Sequence, residues 1–491
     1  MCLFRKWDRR EKSSKEGRKL RKLESFKRLV MLCMSGVCLA GQALLYAWFW
    51  YNDYYQRIKG YLKFWEKGHW LVIAIYVILL FFFSNMYGGM RIGYLKNVEV
   101  IFSQLIATIL VNVITYAQIS LMVRMPYPPP SYLCMVLLQA LWVIIWINIS
   151  SLIYRNVFPP RKLLLVHGER PIDDILVKFS SRKDKFEVSK CINISAGVEA
   201  VKKEAIERYD AVVLWDISIA DRNKILKFCY GRSIRIYVMP KIPDVILKGA
   251  EELHLFDTPL FLTREYVLTI EQRFIKRCID LFCALLLFII ATPFMLLTAI
   301  AVKLYDGGPV LYKQVRCTTN GRQFRILKFR SMRMDAEEDG VARLASKKDS
   351  RITPVGKFIR KVRLDELPQL FNIIKGDMSF IGPRPERPEI IAQYLEVMPE
   401  FVYRMKVKAG LAGYAQVYGK YNTTPYDKLK LDLAYIENYS VWLDLKLMLL
   451  TLKVLLWPDS TEGVEADQIT AMKKEQEEKN QSGKPDEQEG Q

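Results

Sequence analysis

Two adjacent carboxylates, Asp365 and Glu366, stand in an otherwise apolar and basic run, RITPVGKFIRKVRLDELPQLFNIIKGDMSFIGPRPERP, over residues 351 to 388. Such a pair can divide labour: one acid attacks, takes a proton or binds metal while the other holds charge. Downstream, Ile381-Gly382-Pro383-Arg384-Pro385 is a stiff turn that aims a guanidinium, the side chain suited to forked contacts with phosphate. Upstream, Lys328-Phe329-Arg330-Ser331-Met332 sets two cations one residue apart, hence on one side of a strand. No histidine follows His254, so any acid, base or nucleophile in this half falls to a carboxylate. An anionic nucleophile among phosphate-seeking cations suits phosphoryl transfer. The plainer reading is that Asp365 merely caps a helix and Glu366 is a solvated first-turn acid.

The local pattern says how these residues are held. Pro368 is tolerated in the first turn of a helix but not deep inside one. Asp365 is therefore expected near the N-cap of a helix that runs to Ile374 and stops at Gly376. There the macrodipole and free N–H groups favour the ionised form, and Arg360 and Arg363 act in the same direction. Residues 310–314 and 324–328 read as strands around Asn320-Gly321, a hairpin signal. Residues 335–350 are strongly polar and suit a solvated helix and loop, with a lid over the site as the alternative.

These residues carry a resemblance. Arg277-Cys278-Ile279-Asp280-Leu281, the 328–332 run, Leu364-Asp365-Glu366-Leu367-Pro368-Gln369-Leu370, Lys375-Gly376-Asp377-Met378-Ser379 and Gly382-Pro383-Arg384-Pro385 stand in one order and spacing. Together they resemble the bacterial sugar transferases, the monotopic polyprenyl-phosphate phosphoglycosyl transferases, over roughly residues 270–458. Where that family commonly has Arg-x-Gly-x-x-Gly-Lys, this chain has Thr318 for the first glycine and Arg322 for the lysine. The four-span start and middle domain further resemble the family's large exopolysaccharide-priming members.

The rest of the chain fits a membrane protein. Its charge is +21 with a hydrophobic fraction of 51%. Residues 1–28 hold twelve Lys or Arg, a basic terminus that orients toward the cytoplasm. The excess sits beside a membrane segment and no nucleic-acid motif occurs, so nucleic acid is excluded as a partner. Nine cysteines without a C-x-x-C pair argue against a metal site or disulfide framework. Within residues 29–153 four spans are expected, at 29–51, 70–88, 99–123 and 132–153. None carries a charge at its centre, so they read as an anchor or a platform rather than a transport path.

Residues 160–256 alternate strand-like runs (162–166, 186–192, 210–215, 234–239) with helical ones (197–208, 220–230), which predicts a small parallel α/β sheet. No G-x-G-x-x-G follows the first strand. This part resembles the family's Rossmann-like, nucleotide-binding-like domain, with a scaffolding or regulatory role. Residues 274–304 are long enough to span, but Thr292-Pro293 interrupts them and cations flank both ends. A re-entrant helix keeps both soluble parts on one face, as the resemblance also implies. Residues 441–457 suit an interfacial helix or a buried core helix equally. The tail, 459–491, is expected to be disordered.

The fold class expected is thus a membrane protein, α plus α/β, with a C-terminal α/β catalytic domain. The resemblance implies a cytoplasm-facing enzyme of the bacterial inner membrane that moves a sugar 1-phosphate from a UDP-sugar to polyprenyl phosphate, releasing UMP. It further implies that Asp365 is the nucleophile and that Glu366 holds Mg²⁺. Lys328, Arg330, Arg360 and Arg384 are the candidates to clamp phosphates. A homodimer and polysaccharide-assembly proteins are the partners implied. Two alternatives stand beside this: direct attack by the lipid phosphate, and a catalytically silent membrane scaffold. The residues do not name the sugar.

Overall fold

With no water to satisfy backbone groups inside a bilayer, long apolar runs close their hydrogen bonds as helices. The computed structural model describes residues 2–58, 68–126, 128–207, 209–255, 257–263, 267–334, 351–419 and 423–456, with backbone alone over 2–25. The expected polar 335–350 segment and the 459–491 tail lie outside the described residues. Two compact units form, Met1–Met239 and Pro240–Gln491.

In the first unit, α1 (Cys2–Phe49) passes through a π-helical turn at Trp50–Tyr54 into α2 (Tyr55–Ile58). Helices α3 (Gly68–Tyr87), α4 (Asn97–Val123) and α5 (Pro129–Val157) follow. Among the described residues, five helices are long and apolar enough to cross a membrane, four of them here, as befits a membrane protein. The first runs on to Ile58, beyond the expected end at 51. Their shared, largely apolar interior holds an uncharged polar network. Thr108 Oγ1 donates to Gln42 Oε1 (2.6 Å), Asn112 Nδ2 to Gln139 Oε1 (2.8 Å) and Gln139 Nε2 to Tyr76 OH (2.9 Å). Where lipid gives no hydrophobic drive between helices, such bonds select which faces meet.

An α/β sheet follows: β1 (Arg161–His167), α6 (Asp173–Ser180), β2 (Phe186–Asn193), α7 (Val198–Glu207), β3 (Ala211–Trp215), α8 (Ile219–Gly231) and β4 (Arg235–Val238). The strands are parallel in the order β2-β1-β3-β4. Val201 and Ala205 of α7 with Ile225 and Cys229 of α8 cover one face, and Ile175, Leu176 and Phe179 of α6 the other. Burial on both faces explains why β1 and β3 read as unbroken apolar runs. The sheet ends at Val238. The sequence reading carried this domain on to residue 256, whereas α9 (Ile242–Gly249) and the hairpin β5 (Glu251–Leu255) and β6 (Thr258–Leu262) belong to the second unit.

The second unit is built on α10 (Ile270–Asp306), opened by a Thr269–Gln272 capping box and closed by Gly307 at φ +73°. Its 37 residues make a rod about 55 Å long. Pro293 lies inside it and removes one helical N–H. Phe282, Leu286, Ile289, Ile290 and Leu297 are exposed along its middle. Its first turns are pinned: Lys276 Nζ meets Asp444 Oδ2 at 2.6 Å, and Asp280 Oδ1 accepts from Ser379 Oγ and Phe380 N at 3.0 Å each.

The antiparallel hairpin β7 (Leu311–Cys317) and β8 (Gln323–Phe329) comes next, turning at Asn320 (φ +55°) and Gly321 (φ +74°) as the Asn-Gly pair predicts. Then follow α11 (Pro354–Lys361), a 3₁₀ turn at Leu364–Glu366, α12 (Gln369–Lys375), β9 (Ser379–Ile381), α13 (Pro388–Val397) and a 3₁₀ stretch at Pro399–Lys406. Strand β10 (Gly410–Ala412) pairs parallel to β9, and α14 (Tyr414–Tyr418), α15 (Pro425–Glu437) and α16 (Val441–Leu455) finish the unit. On α16, Asp444, Leu447 and Leu450 face inward while Trp442, Leu445, Leu452 and Leu455 are exposed. The acid is the buried residue because Lys276 and the Tyr435 hydroxyl meet it there.

Candidate active site

The dyad sits in the 3₁₀ turn Leu364–Glu366, entered through Arg363 at φ +59°. That left-handed conformation is uncommon for a residue other than glycine, and it falls next to the carboxylates. Asp365, expected near the N-cap of this helix, lies three residues before it: Pro368 occupies the N-cap of α12, and Gly376 ends the helix at φ +94°, as expected. The proline sets where the helix starts, and the chain spends the preceding residues on a separate turn.

Helix α12 is docked onto β8 by one side chain. Asn372 Oδ1 accepts from Leu327 N (3.0 Å) and its Nδ2 donates to Arg325 O (2.9 Å). Arg277 reaches the other end of the helix, donating to Ile373 O and Ile374 O at 2.6 Å each. This docking sets Lys328 opposite the dyad, where its Nζ donates to Glu366 Oε1 at 3.2 Å. Arg384 donates to the same oxygen, also at 3.2 Å, from the Gly382–Pro385 turn. That turn is held by close backbone approach: Gly382 N donates to Ala412 O and Gly410 N to Pro383 O, 2.9 Å each. A Cβ on Gly382 would stand 2.3 Å from Lys408 O, so only glycine fits.

Electrostatics split the pair. The Lys328 and Arg384 charges hold the Glu366 carboxyl well below the usual carboxylate range against the opposing effect of burial. Burial, then the Glu366 charge, pushes Asp365 upward, with Lys328, Arg360 and Arg363 opposing. Lys328 is itself pulled down by burial. Asp365 is nearly buried, and its Oδ1 has no hydrogen-bond partner. The shift thus runs opposite to the one expected from a helix start, because desolvation and the Glu366 charge outweigh the nearby cations.

Of the sequence-named cations, Lys328 and Arg384 touch the dyad and Arg360 acts on Asp365 through its charge. Arg330 does not join them. It pairs with Asp306 at the end of α10. Thr318, which stands where the resemblance puts a glycine, is buried at φ −125°; its hydroxyl donates to Asp377 O and accepts from Ala409 N, 3.1 Å each. Arg322 meets Asp377 Oδ1 at 3.3 Å.

Sequence reasoning missed the support behind Arg384. Arg404 Nη2 donates to the Arg384 carbonyl (3.0 Å) and lies 2.9 Å from Asp432 Oδ2. Burial pushes the Asp432 carboxyl up to about 6 although Arg404 opposes it. The available signal was an acid on the apolar face of α15, between Leu429, Leu433 and Ile436.

Among the described residues, no three His, Cys, Asp or Glu side chains gather into a metal cluster. The two hard carboxylates, with a partnerless buried oxygen on Asp365, nevertheless suit Mg²⁺, which takes one or two protein acids and completes its shell from phosphates and water.

Comparison with known proteins bears on the same stretch. Residues 271–458 match the family model described as bacterial sugar transferase. A UDP-N-acetylgalactosamine-undecaprenyl-phosphate N-acetylgalactosaminephosphotransferase of Aeromonas hydrophila is 39% identical over 255 residues, 51% of this chain and 59% of the relative. A UDP-glucose:undecaprenyl-phosphate glucose-1-phosphate transferase of Escherichia coli K12 is 37% identical over 210 residues, 42% of this chain and 43% of the relative. One with the same name from Caulobacter vibrioides is 39% identical over 190 residues, 38% of this chain and 71% of the relative. The chain thus spans about half the length of the first two relatives and more than two thirds of the third. The match to the family model, and the span and identity shared with the third relative, carry the assignment: this chain belongs to the bacterial sugar transferase family.

Proposed function

We propose that the protein transfers a sugar 1-phosphate from a UDP-sugar to a polyprenyl phosphate, releasing UMP, as the priming step of surface-polysaccharide synthesis at the cytoplasmic face of a bacterial inner membrane. The observation that carries this reading is Glu366, kept anionic by Lys328 and Arg384, beside a buried Asp365 whose Oδ1 has no partner. An Asp365 oxygen attacks the sugar-bearing phosphorus, the bond to the UMP oxygen breaks, and UMP departs with the electron pair. The lipid phosphate oxygen then attacks the resulting acyl phosphate, forming the diphosphate and freeing the carboxylate. Splitting the transfer in two avoids bringing two substrate anions together in one step. Lys328 and Arg384 supply fixed positive charge beside the reacting phosphates. Glu366, with Asp365, is the side chain that would hold Mg²⁺, which when bound offsets diphosphate charge.

Two features support action at a membrane face. The relatives' names place undecaprenyl phosphate as their lipid substrate. Both ends of α10 are tied to the second unit, at Lys276–Asp444 and at Asp306–Arg330, while its middle is apolar and exposed. In this reading α10 re-enters at Pro293, so that both of its ends stay on the face where the second unit lies.

The test is UMP release by the full chain in detergent, with undecaprenyl phosphate, Mg²⁺ and a panel of UDP-sugars, beside Asp365→Asn. One sugar giving UMP, and its loss in the variant by more than about 10³-fold, supports the reading. Retained activity in Asp365→Asn removes the covalent step. Silence across the panel favours the scaffold alternative. Donor sugar-phosphate label remaining on the protein without lipid acceptor separates the covalent route from direct attack.

A further inference from the structure

Outside the transferase site, cations gather within the first unit where its apolar helices meet the α/β sheet. Lys27 opens the first candidate span, and its Nζ lies 5.1 Å from the Tyr154 ring centroid and 5.2 Å from that of Phe158, at the end of α5. Arg182 Nη1 (2.7 Å) and Lys185 Nζ (2.6 Å) both donate to one oxygen, the carbonyl of Tyr94 in the turn between α3 and α4. Lys185 also sits 4.5 Å over the Tyr94 ring. Arg161 joins through its backbone, donating to Lys185 O at 2.8 Å.

The neighbouring acid, Asp184, is taken up by Arg182 in a forked pair at 3.0 and 2.9 Å. Among the described residues no carboxylate forms an ion pair with Lys185, and burial with the nearby Arg182, Lys27 and Arg161 charges pulls its ammonium down to about 7, with the Asp184 charge opposing. With Arg182 matched by Asp184, Lys185 brings a cation to a neutral carbonyl beside an aromatic ring with no carboxylate among the described residues paired to it. An ammonium carries three donors and Tyr94 uses one.

We propose that Arg182 and Lys185, with Lys27 and Arg161 beside them, form a binding site for the phosphate of an anionic phospholipid headgroup. Basic pockets at the ends of membrane helices take such headgroups through charge-assisted hydrogen bonds. Tyr94, Tyr154 and Phe158 belong to the aromatic level at which headgroups sit. A bound lipid clamps the α3–α4 turn, the end of α5 and the Arg182–Lys185 turn of the sheet domain together. The inference rests on the membrane reading of the spans and not on transferase chemistry, since its test uses neither donor nor acceptor.

The test is thermal unfolding of the full chain in nanodiscs of phosphatidylcholine, with and without phosphatidylglycerol. The anionic lipid is expected to raise Tm. Arg182→Gln with Lys185→Gln loses most of that increment, whereas Arg9→Gln with Arg10→Gln, which removes equal charge from the basic terminus, keeps it. Lys185→Arg keeps it as well. If the double variant cannot be purified folded, Lys185→Gln alone is judged by the same increment. Equal loss in both charge-removing pairs, no loss in either, or the same increment from inorganic phosphate in pure phosphatidylcholine overturns the proposal.

Discussion

At the scale of residues, Lys328 and Arg384 share one oxygen of Glu366, and with that charge fixed the desolvation of Asp365 decides its proton affinity. If Asp365 attacks as proposed, it must do so as the ionised carboxylate, and activity is then expected to fall as pH drops through the Asp365 pKa. The acidic limb of log kcat/KM for UMP release, which reports the free enzyme, is expected above the ordinary value of 3.8. Lys328→Met removes a charge that lowers that pKa, so the limb of the residual activity moves to higher pH. A limb that stays put in the variant contradicts this assignment of the base form. The pair was legible in the sequence as two acids among cations. The split between them was not, because desolvation depends on what the fold lays over each carboxylate.

At the scale of elements, α10 and α16 are joined by an ion pair taken out of water. The Lys276 and Asp444 side chains are only 10% and 3% exposed and meet at 2.6 Å. Lys276→Met leaves Asp444 buried and uncompensated, which costs about 3–5 kcal/mol. Chemical denaturation of the purified protein measures this, and Lys276→Met with Asp444→Leu is expected to recover much of it. Helix α15 carries a second buried acid with an opposite consequence. The folded-state pKa of Asp432, about 6, lies above its ordinary 3.8. Protonation therefore favours the folded state, and the stability it contributes below 3.8 is lost as pH rises through about 6. Asp432→Asn is expected to flatten Tm between those values. An unchanged slope assigns the dependence elsewhere.

At the scale of the whole molecule, the two compact units have separate cores, and the dyad, its cations and α10 all lie in the second. A chain of residues 240–458 is accordingly expected to release UMP in membranes at a rate within an order of magnitude of the full protein. Starting instead at residue 257, where the sequence reading ended the middle domain, removes α9 and β5. Ile242 and Val245 of α9 pack in the core with Leu429, Leu433 and Ile436 of α15, so that shorter chain is expected to lose most of its folded yield. Equal yields from both chains would show that α9 is dispensable to the core.

The sequence by itself determined the apolar helices, the alternating strands and helices, the Asn-Gly hairpin and the stop at Gly376, because each follows from local spacing and backbone preference. It also determined the dyad and two of its touching partners, Lys328 and Arg384, since charged residues clustered in an apolar run have few structural uses. Only tertiary structure decided that Arg330 turns to Asp306, that Arg404 and Asp432 brace the Arg384 turn, and that Thr318 spends its hydroxyl on Asp377 and Ala409. It alone moved Asp365 from a helix cap into a buried turn and carried α9 across the boundary drawn at 256. Those outcomes depend on which distant groups share a desolvated space, and spacing along a chain carries no record of that.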